Sequence, residues 1–452
     1  MEKADVLIIG GSAAGIVTGM TARKHYKEVK ITIIRKEREG QVLIPCGLPY
    51  IFGTVGAPEK NIIPDTLLTA NNIDLIVGEA TSIDREAKTV TTARGKSIGY
   101  KKLVLATGAA PIIIPIPGIK LENVFYAIKD VDYLNGLLKT LDGVKDVVII
   151  GGGFIGLEFG DEFRKRGLNI TIIEMLPHCL QLVLDEDFCT LAENKLKEKG
   201  INTKTNARVD AILGEKRVTG IKLAGGEELK ADLVFMCIGA RPETELAQKA
   251  GLQIGETKGI WVDEYNRTSD KDIFAVGDCA EKRSFFTKKP SALRLASIAA
   301  NEGRIVGANL LELRRRNEGT IGSFATTIGD LGIGMAGLSE AGAKAAGFDF
   351  VTSEVKTPDK HPSSIPGAKE LRMKLMFEKA SHEILGGEVC GGSTVGETVN
   401  ILAALIQNRM TANEVATFQY GTHPFLTPSP IPYPIANAAE AALVKLRCFT
   451  PL

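Results

Sequence analysis

Cysteine pairs at short spacing are missing from this chain. Its seven cysteines include no CxxC and follow no regular interval, which excludes a disulfide-stapled secreted scaffold and points to a reducing compartment. An excess of one charge is missing as well: a formal net charge of +1 offers no field for nucleic acid or for an anionic membrane. The longest apolar stretch, Leu103 to Ile119, is broken by Pro111, Pro115 and Pro117, so no membrane span is expected. No charged-then-apolar leader precedes the first strand, and the expected location is cytoplasmic. His178 and Cys179 are adjacent, so their side chains diverge, and no second ligand pair accompanies them; no metal site is expected.

What is present is ordinary globular composition, 44% hydrophobic and 24% charged, over 452 residues. That length implies roughly two to four domains. Asp5 to Ile9 reads as an apolar strand that runs into Gly10-Gly11-Ser12-Ala13-Ala14-Gly15 and then into a helix carrying Ile16, Val17 and Met20. Small residues there let the backbone approach a pyrophosphate, and the helix N-terminus supplies N–H donors and a favourable dipole. The next strand, Val29 to Ile34, is followed by Arg35 where an acidic residue would hold a ribose hydroxyl; Arg35 reads either as a solvent-facing arginine or as one lying against the adenosine end of a ligand.

The same design recurs. Asp146 to Ile150 leads into Gly151-Gly152-Gly153-Phe154-Ile155-Gly156, a complete GxGxxG on a strand-to-helix turn, and the strand Asn169 to Ile173 ends in Glu174. A carboxylate at that point accepts from ribose hydroxyls and repels a 2′-phosphate, so this second site reads as NAD. Two dinucleotide sites in one chain imply electron transfer between two cofactors. Leu233 to Gly239 closes the second unit, and Ile273 to Cys279 is a further buried strand that carries Asp278.

Between the first turn and the apolar run lies Ile44-Pro45-Cys46-Gly47-Leu48-Pro49-Tyr50, which places one cysteine at an expected helix start. Unpaired N–H groups and the helix dipole there would favour thiolate, making Cys46 the candidate reacting atom. Cys237 and Cys279 sit in apolar strands and read as packing residues. Arg314-Arg315-Arg316 reads as a solvated linker and a domain boundary. Beyond it, Met373 to Phe377 and Ile384 to Cys390 are strand-like, Gly396 to Gln407 is helical, and Thr411-Ala412-Asn413-Glu414 is a capping box.

Assembled, these motifs resemble the pyridine-nucleotide-disulfide oxidoreductases over nearly the whole length. The resemblance implies two Rossmann-like α/β domains, one for FAD (residues 1–120 and 245–318) and one for NAD (121–244), plus a C-terminal α+β dimerisation domain (319–452). Gly10, Ser12, Ala13, Ala14 and Gly15, together with Ala106-Thr107-Gly108 and Asp278, match the family's FAD elements, with Asp278 on the flavin ribitol. Leu295-Ala296-Ser297 begins a helix whose N-terminus, at Ala296, would point at the flavin ring. Gly151, Gly153, Phe154, Ile155, Gly156, Glu174 and Gly239 belong to the NAD site.

The usual CxxxxC is absent, since Ile51 stands five after Cys46. Cys46-Gly47-Leu48-Pro49-Tyr50 is instead similar to the single-cysteine branch: coenzyme A disulfide reductases, NADH-dependent persulfide or polysulfide reductases, and NADH oxidases and peroxidases. Tyr420 matches a tyrosine of the coenzyme A disulfide reductases, and His423-Pro424 matches the acid–base pair of the two-cysteine reductases. Both would act across a homodimer, completing the partner's site. Ser364 and Ile365 replace two tyrosines that usually precede Pro-Gly, one of which helps bind coenzyme A disulfide.

The expected activity is transfer from NADH through FAD and Cys46 to a persulfide, polysulfide or low-molecular-weight disulfide, with coenzyme A a candidate ligand. Two alternatives stand beside it: an NADH oxidase or peroxidase cycling Cys46 through sulfenic acid, and a slowly turning redox-sensing flavoprotein.

Overall fold

The computed structural model describes residues 2–446. The chain divides into two compact units, the first made of the residues up to Lys145 together with Met236–Thr320, the second of Asp146–Phe235 with everything from Ile321 onward. Among the described residues no helix is long and apolar enough to cross a membrane.

In the first unit the strand Glu2–Ile9 pairs in parallel with Ile31–Arg35 on one side and Ser97–Leu105 on the other, and Ile73–Val77 extends the sheet beyond Ile31–Arg35. Alternate residues of Glu2–Ile9 go to opposite faces, and both faces are covered. Val6 and Ile8 pack with Ala14, Ile16 and Ala22 of the helix Ala13–His25, while Leu7 and Ile9 pack with Leu252, Ile260 and Val262. Such two-sided burial explains why this strand reads as a continuous apolar run rather than an alternating one. The far edge of Ser97–Leu105 is shared by two partners. Its first residues pair antiparallel with Thr89–Thr92, and Leu103 to Leu105 pair in parallel with Ile273–Ala275.

The helix Ala296–Asn309 lies directly on Ala13–His25 because glycine lets the two backbones meet. A β-carbon on Gly303 would stand 2.9 Å from the Ala14 carbonyl oxygen, and one on Gly307 would stand 2.6 Å from that of Thr18. At the end of this helix Asn309 accepts from the backbone N–H groups of Arg314 and Arg315 and donates to the Arg315 carbonyl, so the arginine run is fastened to the end of the helix.

Within the second unit, Asp146–Ile150, Asn169–Ile173 and Ile201–Lys204 form a parallel sheet, with Leu233–Met236 beside Asp146–Ile150. An antiparallel sheet follows in the order Ser323–Ile328, Leu331–Gly337, Ile384–Gly391, Glu370–Glu378, Phe350–Pro358, and the helix Val395–Gln407 packs on it, with Leu402 against Gly387. The capping box forms as read: Thr411 accepts from the Glu414 N–H, and Glu414 accepts from the Thr411 N–H and hydroxyl.

One expectation is corrected. Cys46 does not begin an α-helix; Pro45–Gly47 and Pro49–Phe52 are two short 3₁₀ turns. An α-helix starting at Pro45 would need an N–H at position 49 to reach the Pro45 carbonyl, and proline has none. The carbonyl instead receives the Leu48 N–H. The dipole of a long helix is therefore not available to the thiol.

Glycine at the helix contact and glycine in open solvent should respond in opposite senses. Gly307→Val should lower stability by about 1–3 kcal/mol through overpacking, whereas Gly136→Ala, in the helix Val131–Leu141 with nothing within 4 Å, should raise it by roughly 0.5–1 kcal/mol. Thermal unfolding of both variants checks this; a neutral Gly307→Val would show that the helices do not need the contact.

Candidate functional site

The first glycine turn is shaped by contacts that exclude a side chain. Gly10 has φ +114°, and a β-carbon there would lie 2.1 Å from the Ala106 carbonyl oxygen; one on Gly15 would lie 1.9 Å from the carbonyl oxygen of Gly10. Ser12 takes the N-cap position, and the N–H groups of Ala13, Ala14 and Gly15 in the first helical turn face outward from the helix without intrahelical acceptors. This cradle fits the pyrophosphate of a dinucleotide.

Three more sequence-selected elements converge on it. Ala106 donates to the Ile9 carbonyl at 2.8 Å, and Thr107 Oγ1 donates to Glu243 at 2.6 Å. Gly108 turns the chain into Ala109–Pro111, which pairs with Ala240–Pro242. Gly277 (φ +74°) would put a β-carbon 2.9 Å from that of Ala14 and 3.5 Å from that of Ala299, so Asp278, the next residue, sits beside the turn and beside the helix that starts at Ala296. Gly239, read from sequence with the second dinucleotide site, lies in the first unit, where its carbonyl accepts from Ile112.

Beneath Asp278 is a buried ion pair that sequence reasoning missed. Lys282 Nζ donates to Glu302 at 2.8 Å, to the Gly277 carbonyl at 2.5 Å and to that of Ala280 at 3.0 Å, while the Gly277 N–H donates to Glu302 at 2.7 Å. Both polar groups of Gly277 are thus held by one pair whose side chains are 2% and 1% exposed. Burial pushes the Glu302 carboxyl upward, and the Lys282 ammonium opposes that shift.

Arg35 is turned inward. It is the last residue of its strand, its stem passes over Gly11, and its guanidinium makes a two-pronged pair with Asp65 at 2.6 and 2.7 Å. The Asp65 carboxyl is held below the usual carboxylate range, chiefly by that hydrogen bonding. Asp65 continues a segment that pairs with the cysteine loop: Ile63 donates to Val42, and Ile44 exchanges hydrogen bonds with Asn61.

Cys46 is exposed. Cys179, Cys189, Cys279 and Cys390 are buried, and burial pushes the thiols of Cys179 and Cys189 up to about 12, that of Cys390 up to about 11, and that of Cys279 upward. Cys237 is half-buried and also raised by burial. Cys448 lies outside the described residues. The accessible nucleophile among the described cysteines is Cys46.

At the second turn, a β-carbon on Gly156 would stand 2.0 Å from the Gly151 carbonyl oxygen. Gly153 caps the helix Phe154–Lys165, Phe154 packs on Phe324, and Ile155 is exposed. Glu174 accepts from the N–H groups of Gly152 at 2.7 Å and Leu176 at 2.8 Å, which fixes the carboxylate at the lip of the turn. In the same unit Asp185, Asp187 and Glu388 converge, and Lys374 supplies their cation at 2.6, 3.0 and 3.4 Å respectively.

Tyr420 stacks on Tyr433 with ring centroids 3.7 Å apart and donates to the Pro430 carbonyl. His423 is exposed, and its N–H donates to Thr427 Oγ1. This turn is fastened to the segment holding Ser364 and Ile365, because the His361 N–H donates to the Pro424 carbonyl at 3.0 Å.

Residues 4–303 match the family described as pyridine nucleotide-disulphide oxidoreductase, and residues 323–430 match its dimerisation domain. The chain is 32% identical to an NADH oxidase of Methanocaldococcus jannaschii over 97% of this chain and 99% of that one. It is 31% identical to an NAD(P)H coenzyme A polysulfide/persulfide reductase of Pyrococcus horikoshii, covering 91% and 93%. Its fold matches the solved structure of an NAD-dependent persulfide reductase from A. fulgidus with a TM-score of 0.90 at 34% identity, over 97% of this chain and 83% of that one.

The buried pair generates a stability prediction. Lys282→Met leaves an unpaired buried carboxylate and should cost about 3–5 kcal/mol, whereas Lys282→Met with Glu302→Gln removes both charges and should cost less. Denaturant unfolding compares them; a double variant no more stable than the single would mean that charge pairing is not what holds this turn.

Proposed function

The chain belongs to the pyridine nucleotide-disulphide oxidoreductases, whose members use FAD and NAD(P)H, and on that premise we propose that it passes electrons from NADH through FAD and Cys46 to a persulfide, polysulfide or coenzyme A-type disulfide. The observation that carries this reading is one exposed thiol against four buried ones raised by burial. We assign FAD to residues 1–120 and 245–318, NAD to 121–244, and dimerisation to 319–452.

FAD, when bound, accepts the hydride of NADH and relays its electron pair to sulfur. The glycine cradle and the N–H groups at the start of Ala13–His25 hold the pyrophosphate, Asp278 accepts from the ribitol, and Glu174 accepts from the ribose of NADH. Cys46 thiolate attacks the outer sulfur of R–S–SH; the S–S bond breaks, Cys46–S–SH forms and R–S⁻ departs. His423 and Tyr420 of the partner subunit supply the proton that turns R–S⁻ into R–SH. Two electrons and a proton then cleave Cys46–S–SH, releasing hydrogen sulfide and restoring the thiolate, so that NADH, H⁺ and R–SSH give NAD⁺, R–SH and H₂S. Oxygen reduction through a Cys46 sulfenic acid is the second reading, favoured by the name of the Methanocaldococcus relative and by Ser364 and Ile365 in place of tyrosines.

NADH should be used with a kcat/KM at least about tenfold above that of NADPH, because the Glu174 carboxylate would face a 2′-phosphate. Steady-state kinetics with Glu174→Ala beside the wild type tests the argument, and equal preference in both proteins would remove it.

Cys46→Ser should keep FAD and accept hydride yet lose persulfide turnover. His423→Ala should slow sulfur reduction by roughly 100- to 10,000-fold with flavin reduction near wild type. Mixed dimers of the two variants contain one intact site and should regain part of the activity. No recovery in heterodimers shown to form would place both residues in one chain or leave His423 without a role.

A further inference from the structure

Asn61 is 6% exposed and touches both ends of the three-residue turn centred on Cys46. Its backbone carbonyl accepts from the Ile44 N–H at 2.9 Å, and its Nδ2 donates to the Ile44 carbonyl at 2.9 Å. That same carbonyl closes the cysteine turn by accepting from the Gly47 N–H at 3.1 Å. On the other side of the turn, Asn61 Oδ1 lies 1.9 Å from where a β-carbon on Gly47 would be, so the amide covers Gly47 and only glycine leaves it room. The residue is held from behind as well. It ends the 3₁₀ turn Pro58–Asn61, its neighbours pair through Leu43 with Ile62 and Val42 with Ile63, and the following Asp65 is gripped by Arg35.

We infer that Asn61 is a positioning residue for Cys46: its side-chain amide holds the Ile44 carbonyl that closes the cysteine turn and covers Gly47, and so sets the direction of the thiol. The inference deepens the proposed function and rests on Cys46 being the reacting thiol. A buried amide bonded to a carbonyl that already closes a turn removes that carbonyl's freedom to rotate. Covering Gly47 blocks the opposite displacement.

Two variants of the full-length, FAD-loaded protein test this. Asn61→Ala removes the amide. Asn61→Asp keeps its shape and the oxygen over Gly47 but, as a carboxylate, cannot donate to Ile44. The readouts are the rate of Cys46 alkylation by iodoacetamide as a function of pH, located by mass spectrometry of the labelled peptide, and the long-wavelength charge-transfer absorbance that a Cys46 thiolate lying against the flavin would give the wild type. Both variants should change the alkylation rate at neutral pH by about threefold or more and lose half or more of that absorbance, with FAD content and flavin reduction by NADH within about twofold of wild type.

Wild-type alkylation in both variants overturns the inference. A change in Asn61→Ala with none in Asn61→Asp also overturns it, since it would reduce Asn61 to a filler of space. If Asn61→Ala does not fold, the isosteric variant decides alone. Neither readout needs a sulfur substrate, so a wild type without persulfide turnover would sink the proposed function and leave the Asn61 result to be judged by itself.

Discussion

The first unit depends on one constraint: several of its backbone segments meet where no side-chain carbon fits. Gly10 lies under the Ala106 carbonyl, Gly15 under that of Gly10, Gly277 against Ala14, and Gly303 against the carbonyl of Ala14. These contacts bring the start of the helix Ala13–His25, the end of Ser97–Leu105, the Asp278 turn and the helix Ala296–Asn309 to one place. Every FAD element named from sequence in this unit is joined to that cluster by a glycine contact, by a hydrogen bond or by adjacency along the chain. The site is therefore assembled mainly by backbone, and side chains such as Asp278 are carried to it. A cradle of this kind suits a ligand recognised at its pyrophosphate, where close N–H groups matter more than particular side chains.

Much of this was legible because glycine turns, apolar strands and caps write their geometry into local sequence. The strand and helix boundaries around both dinucleotide turns, the carboxylate of Glu174 at the lip of the second turn, and the capping box at Thr411 follow from rules that act within a few residues. The rest was harder to see or not legible. The expected helix at Cys46 required noticing that Pro49 removes the one amide which an α-helix from Pro45 needs first. Arg35 offered no hint of its partner, because Asp65 is brought to it by the pairing of Ile73–Val77 with its own strand. Asn61 and Lys282 carry no motif at all, and nothing local pairs Glu302 with Lys282. Their roles arise from contacts between segments far apart in the chain, and only the fold brings those segments together.

Charge placed in the interior follows a pattern in both units. Lys282 with Glu302 fastens the turn that carries Asp278, and Lys374 gathers Asp185, Asp187 and Glu388 where the start of the helix Glu186–Glu198 meets the C-terminal sheet. Burial pushes the Glu388 carboxyl up to about 8, with Asp185 adding to the shift and Lys374 opposing it. Buried ion pairs add little net stability compared with apolar side chains of the same size, but a wrong arrangement that strands one charge is heavily penalised. Removing one partner from either cluster would therefore cost more than replacing the whole pair. Arg35 with Asp65 applies the same rule at the edge of the cysteine loop.

The divided edge of Ser97–Leu105 has a consequence for how the chain is made. Leu103 to Leu105 find their partner in Ile273–Ala275, and the neighbouring Lys102 pairs with Asp272 across 170 residues of chain. During synthesis from the N-terminus, the early strands, the first glycine turn and the cysteine loop emerge long before that partner does. An apolar parallel edge is then left open on the ribosome for as long as the intervening residues take to appear, on the order of ten to thirty seconds at common elongation rates. Open strand edges invite pairing with other chains. Residues 146 to 235 are made within that interval, and the early strands wait through it for their closing partner. Nascent-chain quality control would thus meet the first unit in its incomplete form.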